Sequence, residues 1–486
     1  MAARSVVLSA AVCRSPSARS DAIPVPTLFG TGIKATSVAK QLRYQSNYSS
    51  TSAGVVVRNH HARGRLPPGV WRVPVTFNSR LPGQACHHEI SLLMSDQPAT
   101  ALLSELDFEA VWVETPEALA AACAELEGAD WLALDTEFIR ESTFFPIPAL
   151  VQLMAARDGE LPGADGKTPR IFLIDPTVVP ASEALKRLLG AEGPLKLLHA
   201  CGEDMEVFLR WAGVAPTPLI DTQIAEGLTG GEASMGYQRL VERVVGVTVP
   251  KEETRSNWLK RPLSQAQCDY AALDVLFLPQ VWSEQRDALL ELDRMAWLEE
   301  DCRDPGSSGG ATPDPEYWKR HRSLWKLSPR GLAAWQVLCD WREEQIRLRD
   351  VPRSRLLADA QLFGICERLP TNRFELAKVD GMHPPQIKRH GDTVLTLLKD
   401  VAMLDDSQLP RVPPSPLAPE WKNCMKRLKR EVNAVAEAQQ LKPEILGKRR
   451  DMEALVIADY EGEPLPLAQG WRGELLAARL AKALES

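Results

Sequence analysis

"WLALDTEF", residues 131–138, is an apolar run that ends in two acids two positions apart. Its first four residues read as a strand heading into a core, and alternation along a strand puts Asp135 and Glu137 on one face, away from Thr136. Two carboxylates so close repel, and each raises the other's pKa unless a cation lies between them. A solvated strand end and a metal site are the two readings of the pair, and acids elsewhere in the chain bear on the choice.

"LLHACGEDMEVF", residues 197–208, runs from a strand into a helix and places Asp204 near the helix start, at the mouth of the sheet. "CDYAALDVLFL", residues 268–278, is helical by composition, with Tyr270 and Asp274 one turn apart on one face. Each has a plain alternative: Asp204 as an acid beside the helix dipole, Asp274 as a surface acid, Tyr270 as a half-buried aromatic. Together, four acids and a tyrosine make the oxygen-rich constellation that Mg²⁺ or Mn²⁺ requires.

Around these stretches the pattern between about 105 and 300 is mixed. "PALVQLMAA", "RIFLIDP" and "LKLLHA" read as further strands, while "PEALAAACAELEG", "ASEALKRLLG", "EDMEVFLRWAG" and "DTQIAEGL" read as helices, several closed by Gly. The first strands lie close together, as in a meander, and later ones are separated by helices. A mixed α/β sheet is expected.

"CRDPGSSGGATPDP", residues 302–315, is a linker by composition, and beyond it the pattern is purely helical. Ser328-Pro329 is a helix start, with Leu332, Trp335, Leu338, Cys339 and Ile346 on one face. "SQLPRVPPSPLAP", 407–419, divides the helical part again. Its halves match, "GDTVLTLL" answering "GELLAARL", each after a Pro-initiated middle helix at Pro352 or Pro443.

The 486 residues carry a net charge of −7 that is unevenly spread. Residues 1–93 hold 11 Lys+Arg against 2 Asp+Glu, 101–310 hold 17 against 36, and 311–486 hold 29 against 25. An acidic middle segment is a poor binder of phosphates unless cations intervene. No apolar run of membrane-spanning length occurs. Nine cysteines without a C-x-x-C pair fit reduced thiols. Residues 1–93 read as disordered or as a non-native extension ahead of a start at Met94, and their Arg- and Ser-rich composition also resembles a transit peptide. His60, His61, Cys86, His87 and His88 match no zinc-site spacing and are read as incidental.

D-T-E-F, L-H-A-x-x-E-D, "LIDTQIAEGL" and Y-x-x-x-D, in this order and with roughly 70 residues from acid to acid, resemble the exonuclease motifs of the DEDD superfamily. "TRSNWLKRPLSQAQCDYAALDV", residues 254–275, narrows the resemblance to the bacterial ribonuclease D family, whose paired HRDC domains the two helical modules also resemble. The resemblance implies a ribonuclease H-like exonuclease domain at 105–300, a linker at 302–316, a first HRDC domain at 317–404, a linker at 405–419 and a second at 420–486. It implies metal ligation by Asp135, Glu137, Asp204 and Asp274 of two divalent ions, Mg²⁺ or Mn²⁺, with Tyr270 as the tyrosine of the DEDDy branch.

It further implies stepwise hydrolysis from RNA 3′ ends with release of 5′-mononucleotides. tRNA precursors with 3′ extensions are the expected partners, with no membrane and no protein partner, and the expected location is the cytoplasm unless the N-terminus targets an organelle. A DNA exonuclease and a non-catalytic RNA-holding scaffold are the alternative readings.

Weaker candidates for substrate contact surround these. His199 either touches substrate or is a satisfied structural histidine. Gln152 interrupts an apolar strand and either meets the terminal nucleotide or sits exposed. Arg255, Trp258, Lys260 and Arg261 offer charge and a stacking surface, or a solvated loop with one buried Trp. "YWKRHRSLWK" (317–326), "RLRDVPRSR" (347–355) and "KNCMKRLKR" (422–430) interleave basic with aromatic or apolar residues, as RNA-backbone contacts or as solvated helix faces.

Overall fold

The structure is a computed structural model, and it describes residues 70–73, 108–158, 168–250, 253, 255–303, 314–467 and 469–485. The readings of 1–93 lie outside the described residues, except that the backbone of Val70–Val73 forms an edge strand, β1.

The exonuclease part is a seven-stranded sheet ordered β1-β2-β5-β4-β3-β6-β7. Its other strands are β2 (Phe108–Val113), β3 (Trp131–Ile139), β4 (Ile147–Ala156), β5 (Arg170–Ile174), β6 (Leu195–Leu198) and β7 (Leu219–Asp221). β3, β4 and β5 form the expected antiparallel meander, while β2, β6 and β7 join in parallel, so the sheet is mixed. Leu132, Leu134 and Leu153 on one face and Ala133 and Met154 on the other are essentially inaccessible, as a sheet covered on both faces requires.

The helices start where the local chemistry tells them to. In α1 (Pro116–Leu126) the Thr115 hydroxyl accepts from the Ala118 amide at 3.2 Å and Pro116 opens the first turn, where its missing N–H costs nothing. α2 (Glu183–Leu189) precedes β6, α3 (Gly202–Ala212) follows it, and α4 (Thr222–Leu228) and α5 (Tyr237–Val245) follow β7. α6 (Gln265–Leu276), α7 (Leu278–Glu291) and α8 (Met295–Cys302) complete this part.

Beyond residue 314 every element is helical: α9 (Pro329–Arg349), α10 (Arg353–Leu356), α11 (Asp359–Arg368), α12 (Arg373–Leu376), α13 (Pro384–Ala402), α14 (Pro419–Ala438), α15 (Pro443–Leu446), α16 (Arg449–Glu461) and α17 (Gly470–Glu485). The repeat is visible in them: a long helix, a four-residue helix beside Pro352 or Pro443, then two more helices, with α12 an addition to the first copy.

The two helical modules are attached differently. Buried residues of the second, among them Leu428, Leu455 and Leu476, belong to the same apolar cluster as the exonuclease core. Trp471 stacks on Trp297 with centroids 4.4 Å apart, and Arg472 pairs with Asp301 at 2.5 Å. Gly470 has φ +62°, where a side chain is strained, and a Cβ there would lie 1.7 Å from the Glu300 carboxylate and have to displace it. The first module has its own core, around Leu332, Trp335, Leu362 and Val394. It meets the exonuclease through a small cluster of Phe144, Ile346 and Leu356. There Asp350, at the left-handed end of α9, accepts the amides of Phe144 and Phe145 at 3.0 and 2.9 Å.

Among the described residues no helix is long and apolar enough to cross a membrane.

Candidate active site

β3 delivers Asp135 and Glu137 to one face of the sheet, and Thr136 to the other. The register with β4 slips directly after Glu137: Glu137 pairs with Leu150 but Phe138 with Pro148, leaving Ala149 as the extra residue of a bulge. Bulges bend a strand and re-aim its side chains.

From the Asp135 face, α6 supplies Tyr270 and Asp274. Its start is fixed by a reciprocal pair, the Gln267 amide donating to Ser264 Oγ at 3.1 Å and the Ser264 amide to Gln267 Oε1 at 3.0 Å. Tyr237 on α5 donates to the Leu273 carbonyl at 2.9 Å, pinning the turn that carries Asp274. As a result carboxylate oxygens of Asp135, Glu137 and Asp274 lie within 4.8 Å of one another. Asp204, on α3, lies outside that group but near enough for its charge to bear on Asp135 and Glu137, and it is held by a hydrogen bond from the Thr136 hydroxyl. The residue between the two strand acids thus positions the third.

With no cation between them, these groups resist ionisation. Burial, then the charges of Asp204, Asp274 and Glu137, hold Asp135 well above the ordinary aspartate range. Burial and the charges of Asp274 and Asp204 push Glu137 up to about 9. Burial raises Asp274 to about 7 against an opposing hydrogen bond from Tyr270, and raises Asp204 to about 7 against the bond from Thr136. Four partly or fully buried carboxyl groups with no cationic side chain among these causes fit the all-oxygen preference of a hard divalent ion.

The turn that aims Asp204 has its own support. Ala200 sits at φ +55°, uncommon for a residue with a Cβ. Asp221 at the end of β7 secures it, accepting the amides of Ala200 and Cys201 at 2.9 and 3.0 Å while capping α4 through the Gln223 amide at 2.8 Å. His199 has both ring nitrogens engaged, Nδ1 with the Thr222 hydroxyl at 2.9 Å and Nε2 with the Met235 carbonyl at 3.0 Å. Burial lowers its pKa. It occupies the structural role of its two readings.

Of the other expected substrate contacts, Gln152 and Trp258 lie beside the site but are buried in its wall. Gln152 pairs across β4 with Asp135 but is fully buried, with neither amide atom hydrogen-bonded, so it is neither exposed nor open to a nucleotide. Trp258 is buried against Tyr270, ring centroids 6.0 Å apart, and offers no free stacking face. Arg255 and Lys260 are exposed on the same loop. Arg261 is taken up internally: Nε and Nη2 bind Asp175 at 2.5 and 2.8 Å, and Nη2 donates to the bulge carbonyl of Ala149 at 2.6 Å. This clamp ties the loop before α6 to β4 and β5. Arg261→Leu would leave Asp175 buried and unpaired, and a loss of about 3 kcal/mol in unfolding free energy is expected by denaturant titration. A loss under about 0.5 kcal/mol would show the clamp to be dispensable.

Thr136, Asp175, Asp221 and Tyr237 are the supporting residues that the sequence reading did not assign. Only Asp221 left a signal, an Asp directly ahead of a helix.

A family profile described as 3′-5′ exonuclease matches residues 110–289. An HRDC domain profile matches 331–398, and one for the ribonuclease D C-terminal HRDC domain matches 419–480. Ribonuclease D of Pseudomonas paraeruginosa is 39% identical over 382 residues, 78% of this chain and 98% of that protein. That of Escherichia coli is 34% identical over 77% of this chain and 98% of that protein. The crystal structure of Escherichia coli RNase D, described as an exoribonuclease involved in structured RNA processing, superposes with a TM-score of 0.68 at 33% identity, covering 77% of this chain and 98% of that one.

Proposed function

Because the chain belongs to the ribonuclease D family of 3′–5′ exoribonucleases, we propose that it trims the 3′ ends of tRNA precursors and other small RNAs, releasing 5′-mononucleotides with the help of two divalent ions, Mg²⁺ or Mn²⁺. The observation that carries this reading is the convergence of Asp135, Glu137 and Asp274 within 4.8 Å, with Asp204 brought alongside by Thr136. Asp135, which feels the charges of all three other acids, Glu137, Asp204 and Asp274 would hold the ions. Divalent ions held there would lower the pKa of water and stabilise a leaving 3′ oxygen.

The side chains do the rest. The four carboxylates would place a phosphodiester only through the cations they hold, since carboxylates alone repel a phosphate. Tyr270 hydrogen-bonds Asp274 and orients a water. The clamp of Arg261 on Asp175 and the bulge keeps this wall of the site in place. The chain's free thiols, buried at all seven described cysteines, support a reducing compartment such as the cytoplasm.

The test is a 3′-extended tRNA transcript incubated with the full chain in Mg²⁺, Mn²⁺ or EDTA, beside a DNA strand of the tail sequence. Stepwise shortening of the RNA that stops in EDTA and in Asp274→Ala is expected. RNA that is bound and left intact, with DNA degraded, would overturn the substrate assignment.

A further inference from the structure

Among the described residues, Gln152 is the only buried side chain with two polar atoms that engages neither. It is inaccessible, and both Nε2 and Oε1 are without a hydrogen bond. The same sheet treats another buried polar group differently: the Lys196 ammonium donates to the carbonyls of Gly190 and Thr217, both at 2.6 Å. Buried polar groups are rarely left unpaired, and an exception calls for a reason such as a catalytic role.

The place of Gln152 in the sheet supplies one. β3 and β4 run antiparallel with Asp135 directly opposite Gln152. Opposed residues of such a pair project from the same face, their Cβ atoms about 4.5–5.5 Å apart. Gln152 therefore lies on the face of Asp135 and Glu137, over which α6 packs with Tyr270 and Asp274. Its other flanking residues on that face are apolar: Leu150 and Met154 along β4, and Leu173 across on β5. Asp135 is thus the one polar side chain directly beside it in the sheet. A gap of about 5 Å between Cβ atoms is within the span of a glutamine, so rotation about its own bonds brings Nε2 to the Asp135 carboxylate without moving either strand.

A primary amide suits that place. It donates hydrogen bonds without adding charge. A lysine there would compete with a cation, and another acid would add to the repulsion among the four. Carboxylates that ligate metal ions are themselves hydrogen-bonded by a neighbour that fixes their orientation.

Resting on the reading of the four acids as metal ligands, we infer that Gln152 is a positioning residue. With divalent ions on the acids, its Nε2 donates to the Asp135 carboxylate and fixes the orientation in which that group ligates.

The experiment titrates Mn²⁺ into the full chain by calorimetry, with no RNA present, for wild type, Gln152→Met and Asp135→Asn, and melts each protein in EDTA. Methionine keeps the length and approximate volume of the side chain while removing the amide. Gln152→Met is expected to bind Mn²⁺ about tenfold more weakly than wild type, the lower end of what such supporting groups contribute. In EDTA it is expected to melt no lower than wild type, because the amide it loses is unpaired.

Weaker binding together with a lower melting temperature in EDTA overturns the positioning role and makes Gln152 a packing residue. Equal Mn²⁺ affinity overturns it as well, leaving an amide that holds at most an internal water. Affinity that depends on Asp135 but not on Gln152 keeps the acids as ligands and removes only this role. A wild type that binds Mn²⁺ no more tightly than Asp135→Asn overturns the ligand reading itself, and the role of Gln152 with it.

Discussion

Asp135→Asn is expected to lower kcat/KM on RNA by at least about 1000-fold, equivalent to about 4 kcal/mol of transition-state stabilisation, while raising the melting temperature of the metal-free protein. The two effects share one cause. Asp135 sits where burial and the charges of Asp204, Asp274 and Glu137 all oppose its ionisation, so removing its charge relieves the fold even as it removes a proposed metal ligand. Each kcal/mol relieved shifts the transition of a unit of 150–250 residues by roughly 2–4 °C. Melting in EDTA reads the relief, and melting in Mg²⁺ should reverse the order of the two proteins. A variant that melts lower than wild type in EDTA would mean that the four carboxylates are not under mutual strain, and the metal assignment would lose its electrostatic basis.

Without divalent ions, stability is expected to fall as pH rises from about 4 to about 9. Glu137 at about 9, and Asp204 and Asp274 at about 7, lie above their ordinary values of 4.5 and 3.8. Between those limits the native state therefore binds more protons than the unfolded chain. The derivative of unfolding free energy with pH is then negative, and the penalty is complete only above the folded pKa values. Saturating Mg²⁺ compensates the charges directly, releases those protons and adds about 2.7 kcal/mol at a hundred times its dissociation constant.

Other groups run the opposite way: His199, and Lys196, whose burial lowers it to about 8, both favour the native state more as pH rises. They respond alike with and without metal. The quantity to measure is therefore the difference between Mg²⁺ and EDTA melts, which should widen from pH 5 towards pH 9. A difference independent of pH would show that the carboxylates ionise normally in the apoprotein.

Much of this was legible in the chain because it is local. The acids of β3, the Tyr270 and Asp274 pair on one helix turn, the linkers and the proline-started short helices of the repeat all depend on neighbours within a few residues. β7 was not, since three residues, Leu219–Asp221, are too few to show a period. β2 was missed although Phe108–Val113 has a buried strand's apolar content. Gln152 and Arg261 were read as substrate contacts because a polar group in an apolar strand, or a cation in a loop, looks the same whether it faces water or a partner. Their surroundings are set by Asp135 across the sheet and by Asp175, 86 residues away. Likewise nothing in 347–355 tells that Asp350 closes on the amides of Phe144 and Phe145.

The capped helix that brings Asp274 to the sheet comes late. Asp135 and Asp274 are 139 positions apart (274 − 135). At about 5–20 residues per second of synthesis, some 7–28 s separate the emergence of the first ligand from that of the last. Through that interval the nascent chain, working its way out of a machine built of RNA, carries no complete carboxylate set.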